Sequence, residues 1–353
     1  MPQERERITI DVERPTGPRI TYPPHHGWIE PYQHRAVNVS KRAAVAAVAI
    51  ARHKMVTAVA LTVATTILTH TIFSVLLLMG AGYQVKLSSS YTGPGDVVSG
   101  ALGAWGLRSY NAAYATGSNP AADICDVATG LVCTTINFLS NGSFDVATAA
   151  ASSPCAVACN VSKLYDSTGN ARHATQTTNS SRPTLTFNCI NTSLPCLTNA
   201  AGQGLAVDTG IGTIAQPWTI VAVCNRTGSV TNFSNCYGEG SGHGILNVNS
   251  ANTIAAYGGT IFNTTASDNA FHSLIGVGNS TSSIMNVDNG TTSTGNGGTN
   301  SLAGTTQQIM SGGFGSMVGT GTEWIVYGSA ISAGNQTSLC HNQFLYWATA
   351  VSC

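Results

Sequence analysis

Hydrophobic and polar positions divide the chain into stretches that follow different rules. Residues 1–42 show no sustained apolar period, because six prolines and charges of both signs interrupt every run. They predict a disordered tail. Residues 43–51 (AAVAAVAIA) are small and apolar. After Arg52 and Lys54 comes Met55–Ala81, MVTAVALTVATTILTHTIFSVLLLMGA, which contains no Asp, Glu, Lys or Arg. Roughly 20 such residues cross the hydrocarbon core of a bilayer. Lipid offers the backbone no hydrogen-bond partners, so the run predicts a helix, with the anchor spanning residues 43–82. Residues 83–99, including SSSYTGPGD, read as a turn-rich linker. Beyond it, short runs of Thr, Val, Ile and aromatics are separated by Gly, Asn and Ser: WTIVAVC (218–224), HSLIGVG (272–278), SIMNV (283–287) and WIVYGSAI (324–331). Short runs of this kind predict an all-β, antiparallel sandwich over residues 100–353. Asp288-Asn289-Gly290 predicts a hairpin turn. One helix is predicted inside this domain, over 100–115. There Leu107, Tyr110 and Tyr114 fall at i, i+3 and i+7, with Gly103 and Gly106 weighing against it.

Charge and cysteine content give the apolar run an orientation. The formal net charge is zero, but nine Lys/Arg and five acids precede Met55, whereas six and ten follow the run. Positive flanks stay in the cytoplasm, which places the N-terminus inside and the C-terminal domain outside, extracellular or periplasmic. The basic flank would also touch anionic lipid. A cleaved signal peptide is the competing reading, although its apolar core is usually only ~7–15 residues. All ten cysteines follow residue 120, as an oxidising compartment would leave them. They fall as neighbours: Cys125/Cys133, Cys155/Cys159, Cys189/Cys196, Cys224/Cys236 and Cys340/Cys353. Local bridges are the simplest connectivity. With no CxxC knuckle, zinc is a poor reading.

Several chemistries find no footing. There is no P-loop, Rossmann fingerprint, Gly-x-Ser-x-Gly elbow or HExxH, and no basic patch beyond the membrane run to hold nucleic acid. In the tail, His25, His26, Trp28, Tyr32 and His34 cluster as a metal or partner site or, more simply, as solvated residues. In the β domain, Asp166, Asn170 and His173 read either as sugar or calcium ligands or as an Asx-type turn in which Gly169 supplies the unusual φ. Arg172 belongs to the same loop. Glu239 and His243, four residues apart in a Gly-rich stretch, are the candidate acid/base pair. Without a second carboxylate they reduce to a ligand-contacting loop. Trp324 could stack on a sugar face; the alternative, shared by Trp105, Trp218 and Trp347, is a core position. Asp288 reads as a turn residue.

Cys155-Ala-Val-Ala-Cys159 followed by KLYDSTGNARHATQTTNSSRPTL (163–185) resembles a segment of the catalytic domain of α-L-arabinofuranosidase B and of many laminin-G-like domains. AWGLRSYNAAYA resembles the start of that domain. The order PWTIVAVC, FHSLIGVGNSTSSIMNVDNG, EWIVYGSAIS resembles a concanavalin A-like jelly roll. The likeness covers roughly residues 94–350, and it implies a jelly-roll sandwich. In the enzymes it also implies retaining hydrolysis by two carboxyls about 5 Å apart. YGEGSGHGI (237–245) resembles one enzyme strand region. AAYGGTIFN (255–263) and SGGFGSMVG (311–319), which stand where the enzyme's acidic segments should be, hold no carboxylate. The enzyme's adjacent Cys-Cys pair is reduced to Cys236. The sequence therefore points to a membrane-anchored surface protein that binds a glycan or a partner surface without catalysis and without a required cofactor. A glycoside hydrolase using Glu239 and a virion-associated structural or adhesion module are the alternatives.

Overall fold

The computed structural model describes residues 91–353 except 201, 228–232, 249–252, 267–268 and 350–352. The tail, its histidine cluster and the apolar run lie outside the described residues. Among the described residues, no helix is long and apolar enough to cross a membrane.

The domain is all-β, and every pairing between its strands is antiparallel. Its first half carries β1 (Gly103–Gly106), β2 (Pro120–Asp126), β3 (Cys133–Asn137), β4 (Cys159–Leu164), β5 (Ala174–Thr175), β6 (Thr184–Ile190), β7 (Leu194–Asn199), β8 (Leu205–Val207) and β9 (Trp218–Arg226). The second half carries β10 (Ser234–Gly238), β11 (Gly244–Val248), β12 (Thr253–Tyr257), β13 (Ile261–Ala266), β14 (His272–Gly278), β15 (Ser283–Val287), β16 (Thr291–Gly295), β17 (Gln308–Ile309) and β18 (Gly319–Tyr327). Helix α1 is the single turn Pro94–Val97, α2 is Val146–Ala151, and α3, Ala333–Trp347, closes the chain.

Two ladders face each other. One runs β1–β18–β9–β14–β15–β16. The other runs β13–β12–β11–β10–β17–β8–β5–β4, and β4 also pairs with β2 and β6. The layers meet closely at Gly276 of β14, where a Cβ would stand 3.1 Å from Ile245 of β11 and 3.5 Å from Ala256 of β12. Between the ladders lies the main core, which includes Trp105, Trp218, Trp324 and Tyr237. A second cluster covers the outer face of the first ladder. Val221, Ile275, Ile325 and Tyr327 meet Tyr110 from the opening segment and Leu339 from α3 there. Strands β9 and β14 are thus buried on both faces, which explains why they read as continuous apolar runs rather than alternating ones.

The hairpin predicted at 288–290 is present, and Asp288 and Asn289 take its positive φ values of 51° and 52°. The helix predicted over 100–115 is not formed. Residues 103–106 are β1, paired with Glu323–Val326 of β18. The two glycines are the reason. A Cβ at Gly103 would meet the Trp105 ring at 2.4 Å, and one at Gly106 would meet the Thr322 carbonyl at 2.7 Å. Leu107 and Tyr110 enter different cores. Residues 91–99, read as linker, pack onto the domain: Tyr91 donates to the Ser109 carbonyl, and Val98 is buried. Helix α3 was not anticipated.

The five disulfides join the neighbouring pairs, Cys125–Cys133, Cys155–Cys159, Cys189–Cys196, Cys224–Cys236 and Cys340–Cys353. The first closes the β2–β3 turn, where Asp126 accepts from the Thr129 and Val132 amides at 2.6 and 2.9 Å. Those amides, with the Thr129 hydroxyl, hold its carboxyl down at about 2. A carboxyl depressed in the folded state adds stability above its unfolded value of roughly 3.9, and that stability is lost as pH falls through the folded value. In an NMR titration, Asp126 is expected to protonate near pH 2. The Thr129 and Val132 amide shifts should stay native at pH 4 and move only with that step.

Candidate functional site

The loops at one end of β10, β11 and β12 assemble a site around Glu239. The chain leaves β10 at Gly238, turns through Glu239-Gly240-Ser241-Gly242, and returns at His243 into β11. Gly242 takes φ +89°, and a Cβ there would strike the Phe314 ring at 2.2 Å, so the turn requires glycine. The amide of Gly242 donates to the Glu239 carbonyl at 2.7 Å, and Gly313 donates to the same carbonyl at 2.8 Å. This ties the β10–β11 turn to the 311–316 loop.

Glu239 is 1% exposed. Its Oε1 accepts from the His243 amide at 3.2 Å, and its Oε2 accepts from the Thr306 hydroxyl at 3.3 Å. The His243 ring Nδ1 lies 2.6 Å from Oε1. That approach is off the line of a hydrogen bond, and Nδ1 is buried without a hydrogen-bond partner. The contact is therefore electrostatic rather than a full hydrogen bond. Asn300 Nδ2 sits 2.9 Å from Nε2. With Nε2 accepting, the imidazole proton stands on Nδ1, near the carboxylate but not aimed at either of its oxygens. Tyr257, at the end of β12, stacks on the His243 ring with centroids 5.3 Å apart and planes 27° apart. Phe314 meets Tyr257 edge-on at 5.4 Å, and Phe233 lies 5.5 Å from Phe314. The result is a buried carboxylate, an oriented imidazole, amide and hydroxyl groups, and a half-buried aromatic cluster in adjacent loops. Sequence reasoning found Glu239 and His243 but missed Tyr257, Asn300, Thr306 and Phe314. These come from three distant segments and carry no local motif.

Asp166, Asn170 and His173 are also brought together, and they serve the fold. The Asp166 Oδ1 accepts from the Ala104 and Thr168 amides and the Thr168 hydroxyl, and Oδ2 accepts from the Arg172 amide. These N–H and O–H groups stand where a cation would sit, so the loop has the geometry of the Asx turn rather than of a calcium ligand. Gly169 supplies the positive φ of 88°. Asn170 Nδ2 and Arg172 Nη1 donate to the Leu102 carbonyl, and the Trp105 indole donates to the Arg172 carbonyl. His173 Nδ1 accepts from the Asp166 amide at 3.1 Å. Burial, aided by Lys163, lowers its pKa, which suits a neutral acceptor. No hydrogen bond or ion pair joins this loop to the Glu239 site among the described residues. Trp324 is likewise corrected as a sugar platform. It is 0% exposed, and its indole donates to the Cys236 carbonyl at 3.1 Å. Among the described residues, no group of three or more His, Cys, Asp or Glu could hold a metal ion.

The architecture has solved counterparts. A GH54 α-L-arabinofuranosidase soaked with 4-nitrophenyl α-L-arabinofuranoside superposes with a TM-score of 0.57 at 17% identity, covering 71% of this chain and 64% of that one. An arabinofuranosidase complexed with arabinofuranosyl-α-1,2-xylobiose gives 0.54 at 18% identity over the same shares, 71% and 64%. The β-sandwich fold is shared with these enzymes. The chain spans 64% of their length. No protein-family model and no curated protein sequence matches it.

The other described carboxylates are engaged away from Glu239. Glu323 pairs with Arg108, Asp288 with His272 at 2.5 Å, Asp123 with Lys163 at 3.9 Å, and Asp208 caps Gly210. None shares a hydrogen bond or ion pair with Glu239 or His243.

Proposed function

We propose that the chain is a membrane-anchored surface protein whose β domain binds a glycan at the Glu239–His243–Tyr257 site without cleaving it. One observation carries this reading. Both oxygens of Glu239 are taken by its own loop and by Thr306, and no second described carboxylate enters its bonding network. A retaining glycosidase needs two carboxyls about 5–5.5 Å apart, one of them free to attack. What the site does offer suits sugar recognition: aromatic rings beside polar groups that a sugar hydroxyl can meet. The sandwich shared with arabinofuranosidases supports a glycan as the partner. The uncharged run Met55–Ala81, the basic residues before it and the cysteines beyond it support the anchor and its orientation.

The test uses intact cells expressing the full chain. They are expected to bind a fluorescent conjugate of arabinofuranosyl-α-1,2-xylobiose above the level of cells lacking the chain, and to release no 4-nitrophenol from 4-nitrophenyl α-L-arabinofuranoside. Tyr257→Ala should weaken binding by the about 0.5–1.5 kcal/mol of an aromatic stack, with surface levels unchanged. Absence of binding overturns the reading. The short Glu239–His243 contact favours one rival, a hydrolase. Nitrophenol release that disappears in Glu239→Gln would establish that rival instead.

A further inference from the structure

At the C-terminal end of β2 lie two short loops, each closed by a disulfide. Cys125–Cys133 brackets VATGLV (127–132), and Cys155–Cys159 brackets AVA (156–158). The register makes them neighbours, because Cys125 of β2 pairs with Cys133 and the next residue, Asp126, pairs with Cys159 of β4. Both loops turn aliphatic side chains to solvent. Leu131 is 85% exposed and Val157 99%, and Val127, Val132, Ala156 and Ala158 are exposed as well. Neither loop contains a charged residue. An apolar patch of this kind, on a domain otherwise rich in Ser, Thr and Asn, marks an interaction surface.

The backbone of the first loop is satisfied from within. The Thr129 and Val132 amides donate to the Asp126 carboxylate, the Gly130 amide to the Asp126 carbonyl and the Leu131 amide to the Thr129 hydroxyl. The Val127, Gly130 and Val132 carbonyls accept from Asn179, Arg182 and the Asp126 amide. A protein interface carries about one hydrogen bond per 100–200 Å² and covers about 800 Å² per partner. Here few polar groups remain to make such bonds, and the exposed part of four aliphatic side chains is smaller than that area. A bilayer asks for the opposite, exposed hydrocarbon over a backbone whose polar groups are already paired. Arg182, which braces the turn, is buried and bonds the Gln176, Thr177 and Gly130 carbonyls, so it offers no exposed charge to anionic headgroups. The chain enters the domain at the other end of the β2–β3 hairpin. There a Cβ on Gly142, just past β3, would stand 2.3 Å from the Tyr91 ring. At about 3.4 Å per residue, roughly 20 Å of strand separates that end from the stapled loops.

We propose that the two stapled loops are a lipid-contacting tip: Leu131 and Val157, flanked by Val127 and Val132, enter the surface of a bilayer facing the one that anchors the chain. The choice of the facing bilayer rests on the anchored reading, whereas lipid contact does not, and neither uses a residue of the Glu239 site. The test places the full chain in nanodiscs and adds protein-free phosphatidylcholine vesicles. The nanodiscs are expected to float with the vesicles, at about 1 M salt as well as at 0.1 M, because the tip is uncharged. Leu131→Asp/Val157→Asp should reduce flotation more than about tenfold, with the thermal midpoint unchanged because both positions are exposed. Val157→Trp should keep flotation, and its added fluorescence should be quenched by bromine on the vesicle acyl chains but not by bromine on the nanodisc lipid. Wild-type nanodiscs that do not float, flotation that is lost at high salt, or a double Asp variant that floats like the wild type each overturn the proposal. Quenching from the nanodisc lipid alone overturns the facing bilayer. Nanodiscs that pair with one another without vesicles, and stop doing so in the double variant, assign the tip to a second copy instead. A chain that does not enter nanodiscs refutes the anchor, and flotation is then read on the chain alone.

Discussion

Glu323→Ala is expected to remove about 3–5 kcal/mol of stability, the cost of breaking a buried ion pair from one side. The carboxylate is 3% exposed and fully committed. Its Oε2 accepts from Arg108 Nε and from the Trp347 indole at 3.0 Å, and its Oε1 accepts from Arg108 Nη2 at 3.2 Å and Gln343 Nε2 at 2.8 Å. Removing it strands an Arg108 charge beneath Tyr346 and Trp347 and leaves two more buried donors unmet. Burial opposes the charge on Arg108, but Glu323 beside it outweighs that and raises its pKa. Without that partner only burial opposes the charge, but a guanidinium is not deprotonated in proteins, so the arginine cannot relieve the loss that way. Denaturant unfolding measures the change. The double variant Arg108→Met/Glu323→Leu should recover most of it, because replacing both charges with apolar groups of similar volume is often near neutral. A Glu323→Ala chain as stable as the wild type would show that the pair carries little.

This network shows what the sequence made legible and what it hid. Strands β9, β14 and β15 were visible because apolar and β-branched residues run unbroken between turn residues. The disulfides were visible because each cysteine has a near neighbour. Helix α3 was hidden by its own buried stripe, Gln336, Leu339, Cys340, Gln343 and Trp347. Two of those five are glutamines, buried because they bond the Ile331 carbonyl, Ser273 and Glu323, so the spacing is helical while the hydrophobic signal is faint. Ser332, whose hydroxyl accepts from the Asn335 amide at 3.2 Å, was the one readable start signal. The opposite error occurred at 100–115, where helical spacing was present but Gly103 and Gly106 mark a strand pressed against β18. At the site, Glu239 and His243 were found because they share one loop. Tyr257, Asn300, Thr306 and Phe314 reach it only through the register of β10, β11, β12 and β17, which no local pattern encodes.

Trp324→Ala is expected to be as costly as losing Glu323, about 3–5 kcal/mol for a fully buried tryptophan, and this separates a core role from a sugar-stacking one. The strand explains the assignment. The sequence pattern places Trp324 at the opening of the last strand, at an edge where a ring can meet solvent. In the structure β18 begins at Gly319, so Trp324 lies mid-strand between β1 and β9. A bulge between Gly321 and Glu323 sets the alternation. Glu323, Ile325 and Tyr327 face α3, and Trp324 and Val326 face the main core. Gly321 makes room for the indole, since a Cβ there would stand 2.5 Å from the Trp324 ring and 3.4 Å from Cys224 Sγ. The ring thus packs beside the Cys224–Cys236 bridge that joins β9 to β10, the strand leading into Glu239. Trp324→Ala should lower the denaturation midpoint steeply, while binding by the fraction still folded stays close to wild type. Tyr257→Ala should do the reverse. A Trp324→Ala protein of unchanged stability that no longer binds sugar would place this ring in the recognition surface after all.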